Sequence, residues 1–186
     1  MSSQFDRIRD RHRGSTPDLT PRPASLSQTT IIEVMEVIHA NNAGNVHGGT
    51  IMRLVDTCTG MAAARHSRQR VVTVSMDEMS FLQPVYIGDL LHVKATVNEA
   101  FGSSMEVGAR VDVEPLDGSP YRHVARAYLV FVALDQEGKP APVAPVIAET
   151  PEEKRRQAQA HIRRESRLLR KAALLQSLQE DAAGHG

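Results

Sequence analysis

The sequence predicts an α+β domain in which a curled antiparallel sheet packs against one long apolar helix. Two observations carry that prediction. Four β-rich runs follow one another, Val71 to Leu82, Leu90 to Phe101, Ser104 to Glu114 and Arg122 to Leu134. Before them stands TIMRLVDTCTGMAAARH, Thr50 to His66, with apolar residues on nearly every helical face, the mark of a helix that other elements must cover.

Taken in order, residues 1–26 carry arginines, serines and Pro17, Pro21 and Pro23 without apolar periodicity, so a mobile leader is expected there. Gln28 to Ala40 is β-branched and reads as a strand, broken by the turn formers Asn41-Asn42-Ala43-Gly44-Asn45. After the helix, the clearest strand is the third of the four runs. There Met105, Val107, Ala109, Val111 and Val113 alternate with Ser104, Glu106, Gly108, Arg110 and Asp112, the period of a sheet with one buried face. Gly102, the Asp117-Gly118 pair and the stretch from Pro84 to Asp89 punctuate the runs at spacings suited to an antiparallel meander. Thr150 as cap, Pro151 in the first turn and Glu153 three residues after Thr150 open a second helix, expected to reach about Glu180. The organisation is therefore a leader (1–26), one domain (27–149) and a basic C-terminal helix and tail (150–186).

Composition narrows the function classes. Lysine plus arginine equals aspartate plus glutamate at 22 each, so no global field draws the chain to nucleic acid or a membrane surface. A single cysteine, Cys58, excludes an intrachain disulfide framework and fits a reducing, cytoplasmic setting. The eight histidines show no metal-ligand spacing, and no metal or other cofactor is expected. Eight of the basic residues fall between Lys154 and Lys171, which reads either as a solvated helix or as a surface for phosphates.

The chemistry concentrates in Asn41-Asn42-Ala43-Gly44-Asn45-Val46-His47-Gly48-Gly49, which runs straight into the apolar helix. Gly48 and Gly49 let a ligand approach bare amides at a helix N-terminus, where unpaired N–H groups and the helix dipole favour negative charge. Such donors suit the oxyanion that forms when water attacks a carbonyl. Asp56 lies two turns inside the helix among Met52, Val55, Thr59 and Gly60, and an aspartate so placed is costly unless paired or used. An ion pair with Arg53 is its structural alternative. The Asn41 amide can donate and accept. His47 shapes the turn or polarises a substrate, and Arg65 and His66 close the helix where cations suit its dipole.

The run NNAGNVHGG, an aspartate seven residues on, then AARH, VVTVSMDEMSF, the PVYIGD segment and GSSMEV closely resemble the hotdog-fold acyl-CoA thioesterases, in the cytosolic acyl-CoA hydrolase and YciA-like branch. The resemblance covers about Ser27 to Arg164. It implies a sheet rolled around a helix, two units pairing into one continuous sheet, and dimers that assemble into a hexamer. It also implies hydrolysis of fatty acyl-CoA to fatty acid and CoA. Asn41 and Asp56 map to the family's catalytic pair; Asn42 and Asn45 compete for the asparagine role, which the spacing to Gly48 and Gly49 gives to Asn41, and Asp56 acts as general base or as nucleophile. The oxyanion N–H is chiefly that of Gly49. His47, Gly48, Arg65, Ser103, Ser104, Arg155 and Arg164 are the candidates for substrate and CoA contacts. One further argument is geometric: Gly49 and Asp56 share a helical face but sit about 10 Å apart along the axis, so one thioester reaches both only if the aspartate comes from a second chain. The rival readings are another hotdog acyl-CoA enzyme, such as a hydratase or dehydratase, and a non-catalytic acyl-CoA or nucleic-acid binding module built on the basic tail.

Overall fold

The computed structural model describes residues 17–184, with side chains to residue 179. Its elements are β1 (Arg22–Pro23), β2 (Thr29–Val34), α1 (Gly48–Ser67), β3 (Arg70–Phe81), β4 (Leu90–Phe101), β5 (Ser104–Glu114), β6 (Arg122–Leu134), β7 (Val146–Ile147) and α2 (Pro151–Gly184). Five strands form one antiparallel sheet in the order β2-β4-β5-β6-β3, while β1 pairs in parallel with β7.

Alternation in the sequence sets the faces of this sheet. Met105, Val107, Val111 and Val113 of β5 are fully buried and join Leu91, Val93, Val97, Leu129 and Phe131 in one core with Ile51, Leu54, Val55, Cys58 and Ala62 of α1. Each such side chain contributes about 1.5 to 3 kcal/mol of transfer free energy. Gly60 keeps the helix close, since a Cβ there would already touch the Phe131 ring at 3.5 Å.

The structure corrects the sequence reading in four places. The sheet is not a simple meander. Only β4, β5 and β6 are consecutive neighbours, whereas β3 crosses to the far side of β6 through the Leu82 to Asp89 connection and becomes an edge. The Gln28 to Ala40 strand stops at Val34, where pairing with Leu90 ends, and Val37 to His39 turns as a 3-10 helix. A reciprocal capping box between Glu36 and His39 stabilises that turn. The leader is not mobile to residue 26. From Pro17 the chain is placed: Arg22 is buried, pairs with Asp18 at 2.8 Å and donates to the His66 carbonyl, and Ala24 to Ser27 form a 3-10 turn. Residues 1–16 of that expected leader lie outside the described residues. Lastly, α1 is covered on one face only, and Met52, Arg53, Asp56, Thr57 and Met61 are exposed.

α2 begins with the expected capping box: Glu153 N–H donates to Thr150 Oγ1 at 3.1 Å, and Thr150 N–H to Glu153 Oε2 at 2.9 Å. The Thr150 N–H, with that of Glu149, holds the Glu153 carboxyl below its ordinary value. The helix then crosses the sheet face opposite α1. Among the described residues, no helix is long and apolar enough to cross a membrane.

Candidate active site

The Asn41 turn is built by its own asparagine. Asn41 Oδ1 accepts from Ala43 N–H at 2.8 Å and Asn45 N–H at 3.1 Å, and Asn41 Nδ2 donates weakly to the Val46 carbonyl at 3.5 Å. Gly44, at φ +81°, supplies the left-handed step that lets Asn41 N–H close on the Asn45 carbonyl at 2.7 Å. A bridge from Asn45 to Tyr86 and a hydrogen bond from Val46 N–H to the Val85 carbonyl fasten the turn to the β3–β4 connection. The Asn41 oxygen is thus committed to backbone donors, and what the side chain offers outward is an N–H.

His47 is the N-cap of α1. Its Nδ1 accepts the Gly49 N–H at 2.9 Å, so the amide expected to face a carbonyl is already bonded. The Gly48 N–H has no acceptor among the described residues. A side chain at Gly48 would meet the Phe81 ring, 3.4 Å from where its Cβ would stand. Glycine therefore keeps a narrow approach to a bare amide beneath an aromatic lid.

Asp56 lies two turns further along, on the uncovered face of α1. It does not pair with Arg53, which reaches Glu33 at 3.5 Å instead. Asp56 Oδ1 accepts from the Thr73 hydroxyl of β3 at 2.7 Å, which leaves Oδ2 outward. The sequence reading took Asp56 to be buried. In the single chain it is exposed, because the curled sheet closes on the opposite side of the helix. Sequence reasoning missed Thr73: inside VVTVSMDEMSF it looks like any β-branched strand residue, and only the folding of β3 against α1 brings its hydroxyl to the carboxylate.

The remaining candidates are spread out. Arg65, near the end of α1, donates to the Gln28 carbonyl at 2.6 Å. Ser103 and Ser104 belong to the β4–β5 hairpin, where Gly102 at φ +70° makes the turn. Ser104 pairs with Val132, which pairs with Val72, so this hairpin lies at the opposite end of the sheet from Phe81 and Gly48. Arg164 stacks over Phe101 at 4.7 Å beside that hairpin, and Arg155 faces Gln159 and Glu152 on its own helix. The chain therefore gathers Asn41, His47, Gly48 and Gly49 at one end of α1, sets Asp56 and Thr73 mid-helix, and holds Ser103, Ser104 and Arg164 at the other end. Among the described residues there is no Asp56–histidine pair of the kind a hydratase dyad would need, and no cluster placed to hold a metal ion.

A long helix covered on one face by a five-stranded antiparallel sheet, with a glycine turn at its head, is the hotdog arrangement. The sequence profile of the thioesterase superfamily matches residues 43–117. The chain is 36% identical over 136 residues to an uncharacterized acyl-CoA thioester hydrolase, YkhA, of Bacillus subtilis (strain 168), covering 72% of this chain and 79% of that one. It is also 36% identical over 144 residues to the cytosolic acyl coenzyme A thioester hydrolase of Rattus norvegicus, covering 75% of this chain but only 38% of that relative's length. Among solved structures, an acyl-CoA hydrolase from Staphylococcus aureus, in complex with butyryl coenzyme A, coenzyme A and coenzyme A disulfide, superposes with a TM-score of 0.80 at 33% identity, covering 87% of this chain and 99% of that one. A hexameric hotdog fold thioesterase of Campylobacter jejuni gives a TM-score of 0.58 at 30% identity, covering 69% and 94%. The chain belongs to the thioesterase superfamily, in its acyl-CoA thioester hydrolase branch, and has the hotdog fold.

Proposed function

We propose that this protein is a cytoplasmic acyl-CoA thioesterase that hydrolyses fatty acyl-CoA to fatty acid and CoA, needs no added cofactor, and works as a two-fold dimer within a hexamer. The observation that carries the reading is the exposed Asp56 carboxylate, held by Thr73 at the open β3 edge, about 12 Å along α1 from the free Gly48 amide. That separation is too great for one thioester carbonyl. Among the described residues β3 has a neighbour on one side only, and its other edge is a ready template for pairing. Two β3 edges paired antiparallel about a two-fold axis set the start of one strand beside the end of the other. The partner's Thr73 and Asp56 then come toward this chain's Phe81 and Gly48.

In that shared site the thioester carbonyl points at the Gly48 N–H, with the Gly49 N–H added if His47 turns aside. Such donors stabilise the developing oxyanion by about 3 kcal/mol. The Asn41 Nδ2–H orients the acyl group. Oδ2 of the partner's Asp56 takes a proton from water as its oxygen bonds to the carbonyl carbon. The C–S bond then breaks, and the CoA thiolate leaves and takes up a proton. Ser103, Ser104, Arg65, Arg155 and Arg164 are assigned to the CoA end, and His47 to the mouth of the site. Three kinds of support converge. The Campylobacter relative is hexameric. The Staphylococcus relative is bound to CoA compounds. Structures of that hydrolase also exist with alanine replacing an asparagine, an aspartate and a threonine, spaced along its chain as Asn41, Asp56 and Thr73 are here. Arg163 and Arg167, engaged with sheet carboxylates, argue against a tail free to bind nucleic acid.

The test is complementation. Asn41→Ala and Asp56→Ala proteins, each inactive in CoA thiol release, are unfolded together and refolded as a mixture. Random pairing makes half of the dimers mixed, each with one intact site of two, so activity should return to about a quarter of wild type. No recovery in a mixture that contains mixed dimers by mass spectrometry means that the site is not shared.

A further inference from the structure

α2 crosses the outer face of the sheet strand by strand. His161 meets Glu99 of β4 at 2.9 Å, and Arg163 grips the fully buried Glu106 of β5 at 2.6 and 3.1 Å while stacking on Tyr128 of β6 at 3.6 Å. Arg167 pairs with Asp77 of β3, the edge strand. From Leu168 onward every described residue is exposed, although the helix continues to Gly184, about 25 Å beyond the edge and some five strand spacings. A helical stretch of that length resting on nothing is marginal in water.

The face that docks on the chain's own sheet does not end at β3. Ala160, which is buried, and Arg167 lead in seven-residue steps to Leu174, and Arg164 and Lys171 lead to Leu178. Past the edge, the residues of this face change from charged or small to leucine, with Leu174 61% and Leu178 64% exposed. The face pointing away from the sheet is marked by Ile162, also 64% exposed, and seven residues later by Leu169. Val72 precedes Thr73 on β3 and pairs with Val132, so it points to the outer face, where it is exposed. Val74, at the register shift that follows, is exposed as well. A second copy paired through β3 presents the same Val72 across the seam.

We infer that the distal half of α2 is an arm that lies on the outer sheet face of a second copy of this chain, burying Leu174 and Leu178, with Leu175 beside them, against that copy's β3. The inference rests on the β3-edge dimer proposed above. An arm of three turns buries far less than the roughly 1,000 Å² that a free partner needs, which favours a surface already held in place by β3 pairing. The two arms of a dimer cross the seam in opposite directions, so each chain both gives and receives one.

The test uses the full-length chain. Leu174→Glu/Leu178→Glu should raise the dimer dissociation constant at least tenfold by sedimentation, and Leu169→Glu should leave it unchanged. In the wild-type protein, hydrogen exchange at residues 170–179 should be slowed more than tenfold relative to a free helix, and the double variant should lose that protection. The arm is overturned by unprotected amides in the wild-type dimer, or by equal effects of the Leu169 and Leu174/Leu178 substitutions. It is also overturned if the helix binds anionic phospholipid vesicles through these leucines while the dimer mass stays constant. A wild-type chain that sediments as a monomer removes the dimer reading itself, a result the mass shows before any substitution is made.

Discussion

The two helices of this protein are covered by opposite chemistry. α1 is apolar on its packed face, is held by volume and dispersion against Phe131, Leu129 and the β4 and β5 valines, and carries its one carboxylate on the face the sheet leaves open. α2 is charged and is held by directed contacts, Arg163 to Glu106, Arg167 to Asp77 and His161 to Glu99, spread over three strands. A hydrophobic helix can dispense with polar partners, and Asp56 on its open face keeps a single hydroxyl contact, from Thr73. A polar helix must satisfy each group it buries, which leaves its exposed leucines as the unspent feature.

The largest effect should come from the chemistry on α1. Asp56→Asn removes an exposed group with one hydroxyl partner, so kcat should fall about a thousandfold while the melting temperature stays within a degree or two of wild type. A loss of activity matched by a loss of folded protein would return Asp56 to a structural role.

Next is the polar lock of α2. Arg163→Ala leaves Glu106, which is fully buried, with only Asn98 as a side-chain partner among the described residues, at 3.0 Å. Removing one member of such a pair costs about 3 kcal/mol, or roughly 8 °C in a chain of this size. Catalysis per folded dimer should be far less affected, because α2 lies on the sheet face opposite α1. Unchanged melting would mean that α2 is not anchored by charge.

A smaller change separates position from presence. Thr73→Val keeps shape but deletes the donor to Asp56 Oδ1, and kcat should drop about tenfold with KM little altered. An equal rise in KM would make Thr73 a contact for bound substrate instead of a support for the carboxylate.

The smallest prediction concerns the far end of α1. His66 is buried there, its Nε2–H donating to the Ala144 carbonyl at 2.9 Å, and burial holds its imidazole below the ordinary value of 6.5. The folded form therefore resists a proton that the unfolded chain accepts below pH 6.5. This contribution to stability is complete above that pH and is lost as pH falls toward the lower folded value. Melting of the wild type between pH 6.5 and 5 should decline more steeply than that of His66→Gln, and parallel slopes would exclude the histidine.

Much of the fold was legible before any coordinates. Strict alternation in β5 named the face that meets α1, although Glu106 and Asp112 on its other face, expected to be exposed, are buried as well. The Thr150/Glu153 pair marked the start of α2 to the residue. The glycine turn, Asn41 and Asp56 stood out because small, polar and acidic residues there break an apolar pattern. Thr73 did not, since a threonine in a strand breaks no pattern, and the cap on Gly49 was hidden because His47 shares its bond only after the turn closes.

By itself, then, the sequence determined which faces are apolar and where elements begin, because periodicity and capping act within a few residues of each other. Only the tertiary structure decided that β3 lies at an edge, that Asp56 faces outward, and that α2 runs across the sheet and past it. Those outcomes depend on which distant segments pair, and pairing energy is summed over contacts between residues far apart in the chain, where no local pattern records them.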